Sequence, residues 1–560
     1  MTTRGRQASD ARRTATVPSA APSSRGTVLA PTLSRLIAPL LAIALVATWL
    51  TVYLLWPTPF WASDDDYAYL ALAHALHFEA TLRGGDVSQD GGLMNHPGLP
   101  FYVASWLALR ASALFAGGKD AIAYALSQPD GFFLATRIIA GLITAAAIAG
   151  IWYLMAALAA PWRLLAILGF FAASPASFRY GFTFLGNETF ALPLSVLLFW
   201  SLRYVVTSPP QTYAPWLVLG AVAAVAYTVK LLYLDILVAA IAVALVDSWW
   251  TFRRSNLLFI FRAVQRIGLI ATAFVGVAVA LLLVAIGRKG VASLLAFHAS
   301  IFTHTGVYGS GGRGVASVEA VYQAFANSIS SMPLPYLCFA AVALLVVTLA
   351  AQARARSLDR AIVIWTVAAI TATIAAAAAV LKHYDTHYVT AVSAVLPFVL
   401  APVLSHRRWR WVVAAGIFAS LCFTAAYATT QLSEQSRFAA AMAEDETRIA
   451  AMPLLPAQAR LWTYRVPSEH FAAAFVAAYS GVRSIQATLA DPARQDFSSY
   501  SQVDRSYRYI ALDKHHFPDA DSVRRAKGSL EPTQSLMVQL GANDKIHVLK
   551  STIVVERATD

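Results

Sequence analysis

Apolar runs of membrane-spanning length recur along the chain, separated by connections rich in Arg, Gly and Pro. Runs near 34–56, 132–155, 163–180, 188–204, 215–230, 232–250, 267–287, 333–352, 361–381, 388–404 and 411–429 approach the roughly 20 residues that cross a bilayer, and they predict eleven transmembrane helices. A further apolar stretch, 99–116, contains Arg110. If it crossed the membrane, the clusters Arg253-Arg254 with Arg262 and Arg266, Arg354-Arg356-Arg360, and Arg407-Arg408-Arg410 would all lie outside. The positive-inside rule opposes that. Treated as an interfacial or re-entrant helix, 99–116 leaves all three clusters in the cytoplasm with Arg163, Arg203 and the N-terminal residues. Residues about 57–131, 181–187, 287–332 and 382–387, and everything after 430, then share the outer face. Arg137, Arg179 and Lys230 fall within or at the ends of spans.

Polar segments frame this array. Residues 1–33 combine Arg4, Arg6, Arg12, Arg13 and Arg25 with Ala, Ser, Thr and Pro, a composition that buries no core and reads as a disordered cytoplasmic tail. Residues 34–429 form the membrane domain. After 430 the composition becomes that of an ordinary soluble chain. Helical patterns at about 433–450 and 468–480 alternate there with strand-like runs at Arg460–Tyr464, Tyr507–Leu512 and Ile546–Val555. The fold class expected is an all-α polytopic membrane domain with a small C-terminal extramembrane α/β domain over 430–560.

Composition agrees. The 560 residues are 58% hydrophobic and 13% charged, with mean hydropathy +0.57, which excludes a single water-soluble core. The formal net charge of +13 sits largely in the connections, so it reports topology and not a nucleic-acid partner. Cys338 and Cys422, the only cysteines, lie inside apolar runs and read as packing residues. They support neither a disulfide framework nor a cysteine zinc site. No Walker A, dinucleotide-binding glycine fingerprint or HExxH helix occurs.

Candidate chemistry gathers on the outer face. Asp64, Asp65 and Asp66 follow directly on the first apolar run, and an ionised group at a membrane boundary needs water, a cation or a ligand to offset desolvation. One of the three can cap the surface helix expected over Tyr67–Phe78, which carries Tyr69; three exceed what a cap requires. His96 sits on a proline-fixed turn, Asn95-His96-Pro97-Gly98, where its imidazole could face a phosphate. Asn187-Glu188 adds a second acidic site, and Asn187-Glu188-Thr189 also matches a glycosylation sequon. The segment from His298 to Arg313 pairs two histidines, His298 and His304, with a glycine-rich stretch of the kind that gates substrate access. Lys382-His383-Tyr384-Asp385-Thr386-His387-Tyr388 concentrates cations and hydrogen bonders where an alanine-rich span ends.

Taken together, these segments resemble the lipid-linked-sugar glycosyltransferases of the GT-C fold, in the branch that includes protein O-mannosyltransferases and the aminoarabinose transferase of lipid A. The resemblance covers roughly residues 34–404. That family opens its first outer loop with Asp-Glu-x-x-Tyr, and Asp65-Asp66-Tyr67-Ala68-Tyr69 is similar, with Asp in place of Glu. His96-Pro97 resembles the basic-residue-Pro turn of the aminoarabinose branch. Arg137, Asn187-Glu188, Thr228-Val229-Lys230, His304 and the Lys382–Tyr388 septet follow in family-like order. Two departures stand out: Asn95 replaces a glutamate that reaches metal in the aminoarabinose branch, and the final domain differs from known acceptor-binding domains.

The resemblance implies an inverting transfer of a sugar from a polyprenyl phosphate to a cell-envelope acceptor: glycolipid, polysaccharide or protein. Asp65 would take the acceptor proton, and Asp66 would position acceptor or cation. Lys382, His96 and Arg313 would offset the charge developing on the leaving phosphate. Glu188, Lys230, His383, Tyr384 and Tyr388 complete the expected substrate-binding set, with Asp64 and Tyr69. A divalent ion, Mn, Mg or Zn, could share the task on Asp65, Asp66 and His304. A secondary transporter or flippase of lipid-linked sugars, using Lys230, Arg137 and Glu188 as pathway charges, is one alternative, although no internal repeat supports it. A non-catalytic envelope assembly protein is the other. The high Ala and Arg content suggests a GC-rich bacterial genome, hence an inner-membrane protein with its C-terminal domain in the periplasm.

Overall fold

A computed structural model describes most of residues 98–303 and 334–450, scattered positions within 36–82 and 318–326, and short stretches within 461–463, 509–521 and 543–558. The helices are α1 (Leu99–Leu114), α2 (Pro129–Leu154), α3 (Ala160–Ala173), α4 (Ala191–Thr207), α5 (Ala214–Val229), α6 (Asp235–Phe252), α7 (Asn256–Thr303), α8 (Leu334–Arg354), α9 (Arg360–Lys382), α10 (Val389–Ser405) and α11 (Arg410–Ala450). Six helices are long and apolar enough to cross a membrane: Gly131–Leu154, Asn187–Thr207, Leu231–Phe252, Asn256–Arg288, Arg360–Ala379 and Arg410–Glu434.

The expected count of eleven spans is therefore not met among the described residues. Several apolar runs are cut short by chain-turning residues. Pro161 opens α3, and Ser174-Pro175 ends it after 14 residues, because a proline ring cannot continue the hydrogen-bond ladder. Pro215 opens α5, and an extended Lys230 (φ −163°, ψ 144°) stops it at 16 residues. α1 is also 16 residues, about 24 Å at 1.5 Å per residue against a hydrocarbon core of about 30 Å. Among the described residues only Leu36, Leu40, Ile43, Ala44 and Ala47 represent the first predicted span, and they are helical.

α1 is built as one wall of the site end. Helical residues His74, Ala75, Phe78 and Glu79, spaced one turn apart, pack upon it. The His74 ring lies 4.7 Å from Phe101 and 4.5 Å from Tyr102, and Phe78 meets Trp106 edge-on at 6.1 Å. Arg110, the awkward charge of this segment, pairs with Glu79, whose other oxygen accepts from Trp106 Nε1 at 2.5 Å.

Helix association relies on close packing and small residues, as it must where lipid is as apolar as the side chains. Gly220 on α5 lets the chain touch the Ile270 carbonyl of α7. Phe199 on α4 stacks on Phe398 of α10 at 3.8 Å and on Trp365 of α9 at 5.1 Å. α7 is two helices joined at Gly287 (φ 65°, ψ −178°), a left-handed conformation that side chains resist.

The predicted basic clusters meet at one end of this bundle. Asp247, fully buried near the end of α6, takes Arg360 Nε of α9 at 2.6 Å and lies 2.9 Å from Arg266 NH1 of α7. Arg266 stacks over Trp216 of α5 at 4.5 Å, and Arg360 donates to the Val206 carbonyl of α4 at 3.1 Å. Arg203 stacks on Tyr153 at the end of α2, and Arg163 caps that helix through the Leu158 and Ala156 carbonyls at 2.5 and 2.7 Å. Cys422 is exposed on α11, so it is not the packing residue expected; lipid-length apolar sequence does not by itself say which face is buried.

α11 continues to Ala450, through the composition change at 430. Beyond it, β1 (Leu461–Thr463), β2 (Tyr509–Asp513), β3 (Lys545–Val548) and β4 (Thr552–Glu556) form a mixed sheet in the order β1-β2-β4-β3. β1 runs parallel to β2, while β4 is antiparallel to β2 and β3, with Ile510 opposite Val555. Ile553, Val554 and Val555 are buried, and all three predicted strand regions are present. The sheet docks on α11 through Lys550, whose N–H donates to Asp445 Oδ1 at 2.8 Å and whose ammonium pairs with Glu444. The predicted helix over 468–480 lies outside the described residues.

Candidate functional site

At the end of the bundle opposite Asp247, four chain turns converge. Thr189 fixes the first: Gly186 N–H donates to Thr189 Oγ1 at 3.1 Å, and Thr189 Oγ1 donates to the Tyr180 carbonyl at 2.9 Å. This holds a single tight turn, Asn187–Phe190, ahead of α4, with Asn187 and Glu188 only 1% and 2% exposed. The second turn begins where Lys230 leaves helical geometry. Its N–H still bonds the Ala226 carbonyl at 3.3 Å, and its side chain turns inward to 3% exposure. Its ammonium pairs with Glu188 Oε1. Tyr233, on the turn that follows, donates to the Asn187 carbonyl at 3.2 Å.

The third turn comes from the septet. His387 and Tyr388 precede α10, and Lys230 Nζ lies 4.2 Å from the centre of the Tyr388 ring, within cation–π range. His387 Nε2 stands 3.9 Å from Glu188 Oε1, and its ring lies against Tyr388 at 3.9 Å. The fourth is Gly98, at the exit of the His96-Pro97 turn. A Cβ there would come within 2.9 Å of Asn187 Oδ1 and 3.3 Å of the Val229 carbonyl, so only glycine allows this approach. Asn187 Oδ1 is buried and has no hydrogen-bond partner among the described residues.

Neighbouring groups extend the site end. Arg137, 1% exposed near the start of α2, stacks on Phe133 at 3.9 Å. Tyr227, one turn before Lys230, shares a hydrogen bond of 3.2 Å with His298 Nδ1, which carries the second half of α7 to α5. Glu188, Lys230 and Tyr388, three of the residues expected from sequence, are thus in contact. Lys382 ends α9 at the same end of the bundle, its side chain outside the described residues. Asp64, Asp65, Asp66, Tyr69, His96, His304, Arg313, His383 and Tyr384 also lie outside them, and so does the expected metal set of Asp65, Asp66 and His304.

Sequence reasoning passed over His387 as a separate actor, along with Tyr233, Gly98 and Glu79. Only Gly98 had a usable sign, since glycine after His-Pro marks a close backbone approach. The sequon reading of Asn187 is corrected: the side chain is buried against Gly98, where no oligosaccharide could be attached.

Chemically, the cluster is an ammonium held in reserve. A lysine and a carboxylate withdrawn from water attract strongly but give up hydration, so removing either leaves an uncompensated buried charge. An anionic group reaching the cluster would find a desolvated cation, an imidazole and two phenol rings within one turn of each other. A scan against protein-family models finds none that matches the chain, and a search of curated proteins finds no match either.

Proposed function

We propose that the chain transfers a sugar from a polyprenyl-phosphate donor to a cell-envelope acceptor at the end of the bundle that holds Glu188 and Lys230. The observation that carries this reading is the buried Glu188–Lys230 pair with Tyr388 and His387 beside it, at helix ends whose connections hold the sequence's outer acids and cations. A lipid phosphodiester needs a fixed cation at the membrane boundary and a tail path along apolar helices; Lys230 supplies the former and the exposed faces of the bundle the latter. In this reading Asp65 removes the acceptor proton and Asp66 positions the acceptor. Lys382, with His96 and Arg313, offsets charge on the leaving phosphate while Lys230 holds the donor.

The assignment of outer to this end follows from the basic residues at the other end, among them Arg163, Arg203, Arg266 and Arg360, which the positive-inside rule places in the cytoplasm. The eleven-span count belongs to this proposal, with the shorter helices completing their passage through the turns that flank them. Incubating purified protein with labelled polyprenyl-phosphate sugar and envelope acceptors tests the reading. Transfer of label that disappears in Asp65→Asn and weakens in its donor dependence in Lys382→Ala supports it. Label that crosses vesicles without being transferred would establish a transporter instead.

A further inference from the structure

Glu188 faces two basic side chains and bonds one of them. Lys230 Nζ donates to Oε1, while His387 Nε2 waits 3.9 Å from the same oxygen. Tyr388 touches both, its ring 4.2 Å from the Lys230 ammonium and 3.9 Å from the His387 ring at 61°. Among the described residues, the groups facing this carboxylate come from each surrounding element: Lys230 from the end of α5, Tyr233 from the turn after it, His387 and Tyr388 from the turn before α10, and Tyr180 with its ring 6.2 Å from His387. An ammonium so paired cannot serve an incoming anion unless something else compensates the carboxylate it leaves.

We propose that Lys230 is stored on Glu188 and passes to an anionic ligand by exchange, with protonated His387 taking its place on the carboxylate. His387 is then a positioning residue: it acts through Glu188 and Lys230. The inference rests on the reading that a lipid phosphodiester is the anion bound. The movement is small, from 3.9 Å to the roughly 2.8 Å of a charge-assisted hydrogen bond. Charge counting fixes its signature. At rest the cluster holds a carboxylate, an ammonium and a neutral imidazole. With ligand it holds a carboxylate–imidazolium pair and an ammonium–phosphodiester pair, so one proton is taken up from water for each ligand bound.

The test uses full-length protein in nanodiscs and the imidazole nitrogen resonances, with His387 assigned by its loss in His387→Gln. The probe is farnesyl methyl phosphate, a phosphodiester whose single charge is constant between about pH 5 and 8. Saturating probe should convert His387 from the neutral to the imidazolium signature at about pH 8, and Lys230→Met should do so without probe. Probe affinity should fall about tenfold per pH unit on raising the pH, the slope for one linked proton, and His387→Gln should lose that slope. Probe binding with His387 unchanged, and with the slope intact in His387→Gln, overturns the exchange while sparing the lipid-phosphate reading. No probe binding with His387 still converted in Lys230→Met sinks that reading and keeps the exchange. Absence of both sinks both. Lys230→Gln, which retains a donor toward Glu188, replaces Lys230→Met if the latter does not fold.

Discussion

Gly98 lies so close to Asn187 that a single added carbon would sit 2.9 Å from the Asn187 side-chain oxygen. The outer loop that carries His96 is thereby clamped to the turn that carries Glu188, and the loop's exit cannot shift without moving the ion pair.

Gly98→Ala should displace this clamp. The Cβ meets Asn187 on one side and the Val229 carbonyl at 3.3 Å on the other, and backbone cannot yield as a flexible side chain does. A loss of about 1–3 kcal/mol in stability is expected, with a larger fall in donor affinity than in membrane insertion. Thermal unfolding of the purified protein and probe binding measure the two. Unchanged values in both would show that the loop is not held here.

Glu188→Gln and Lys230→Met should each destabilise the protein strongly, by about 3–5 kcal/mol, because each leaves its partner charged and buried. The double variant should be more stable than either single one, since neither charge remains to be compensated. A double-mutant cycle on unfolding in detergent checks this; additive losses would mean that the two side chains act separately.

Asp247 is shared by two arginines, so Asp247→Asn should cost more than Arg360→Gln, which leaves the Arg266 contact in place. The first change exposes two buried or half-buried cations to each other, and the second removes one. Expression level and apparent melting temperature should rank wild type above Arg360→Gln above Asp247→Asn, without altering the probe affinity at the far end of the bundle.

The sheet's attachment to α11 should weaken in acid. The Lys550 ammonium, aided by Arg448, holds the Glu444 carboxyl below its ordinary value of 4.5. A depressed carboxyl contributes its full stabilisation above the unfolded value and loses it as pH falls through the folded one, so the contact should loosen below pH 4.5. Hydrogen exchange of Lys545–Glu556 should accelerate between about pH 6 and about pH 3.5. Lys550→Met should show fast exchange at the higher pH already and little further change. Equal pH responses in both proteins would place the acid-sensitive contact elsewhere.

Much of this architecture is written locally. Runs of apolar residues have no stable place in water, so their lengths announce a helical membrane domain, and the alternation in Tyr507–Leu512 and Ile546–Val555 announces strands because side chains of a strand alternate between faces. The positions of Arg266 and Arg360 likewise anticipate a common basic end. Partners are another matter. That Arg110 would meet Glu79, that Lys230 would choose Glu188, and that His387 would stop short of the same carboxylate depends on which helices pack and where each is interrupted. The number of full-length helices also escapes the sequence pattern, since hydropathy measures how apolar a run is and says little about where Pro175 or an extended Lys230 ends the helix. Sequence alone determined what kind of environment each segment needs, through burial and charge; only the tertiary structure decided which buried charges compensate one another, because that pairing is made between residues far apart in the chain.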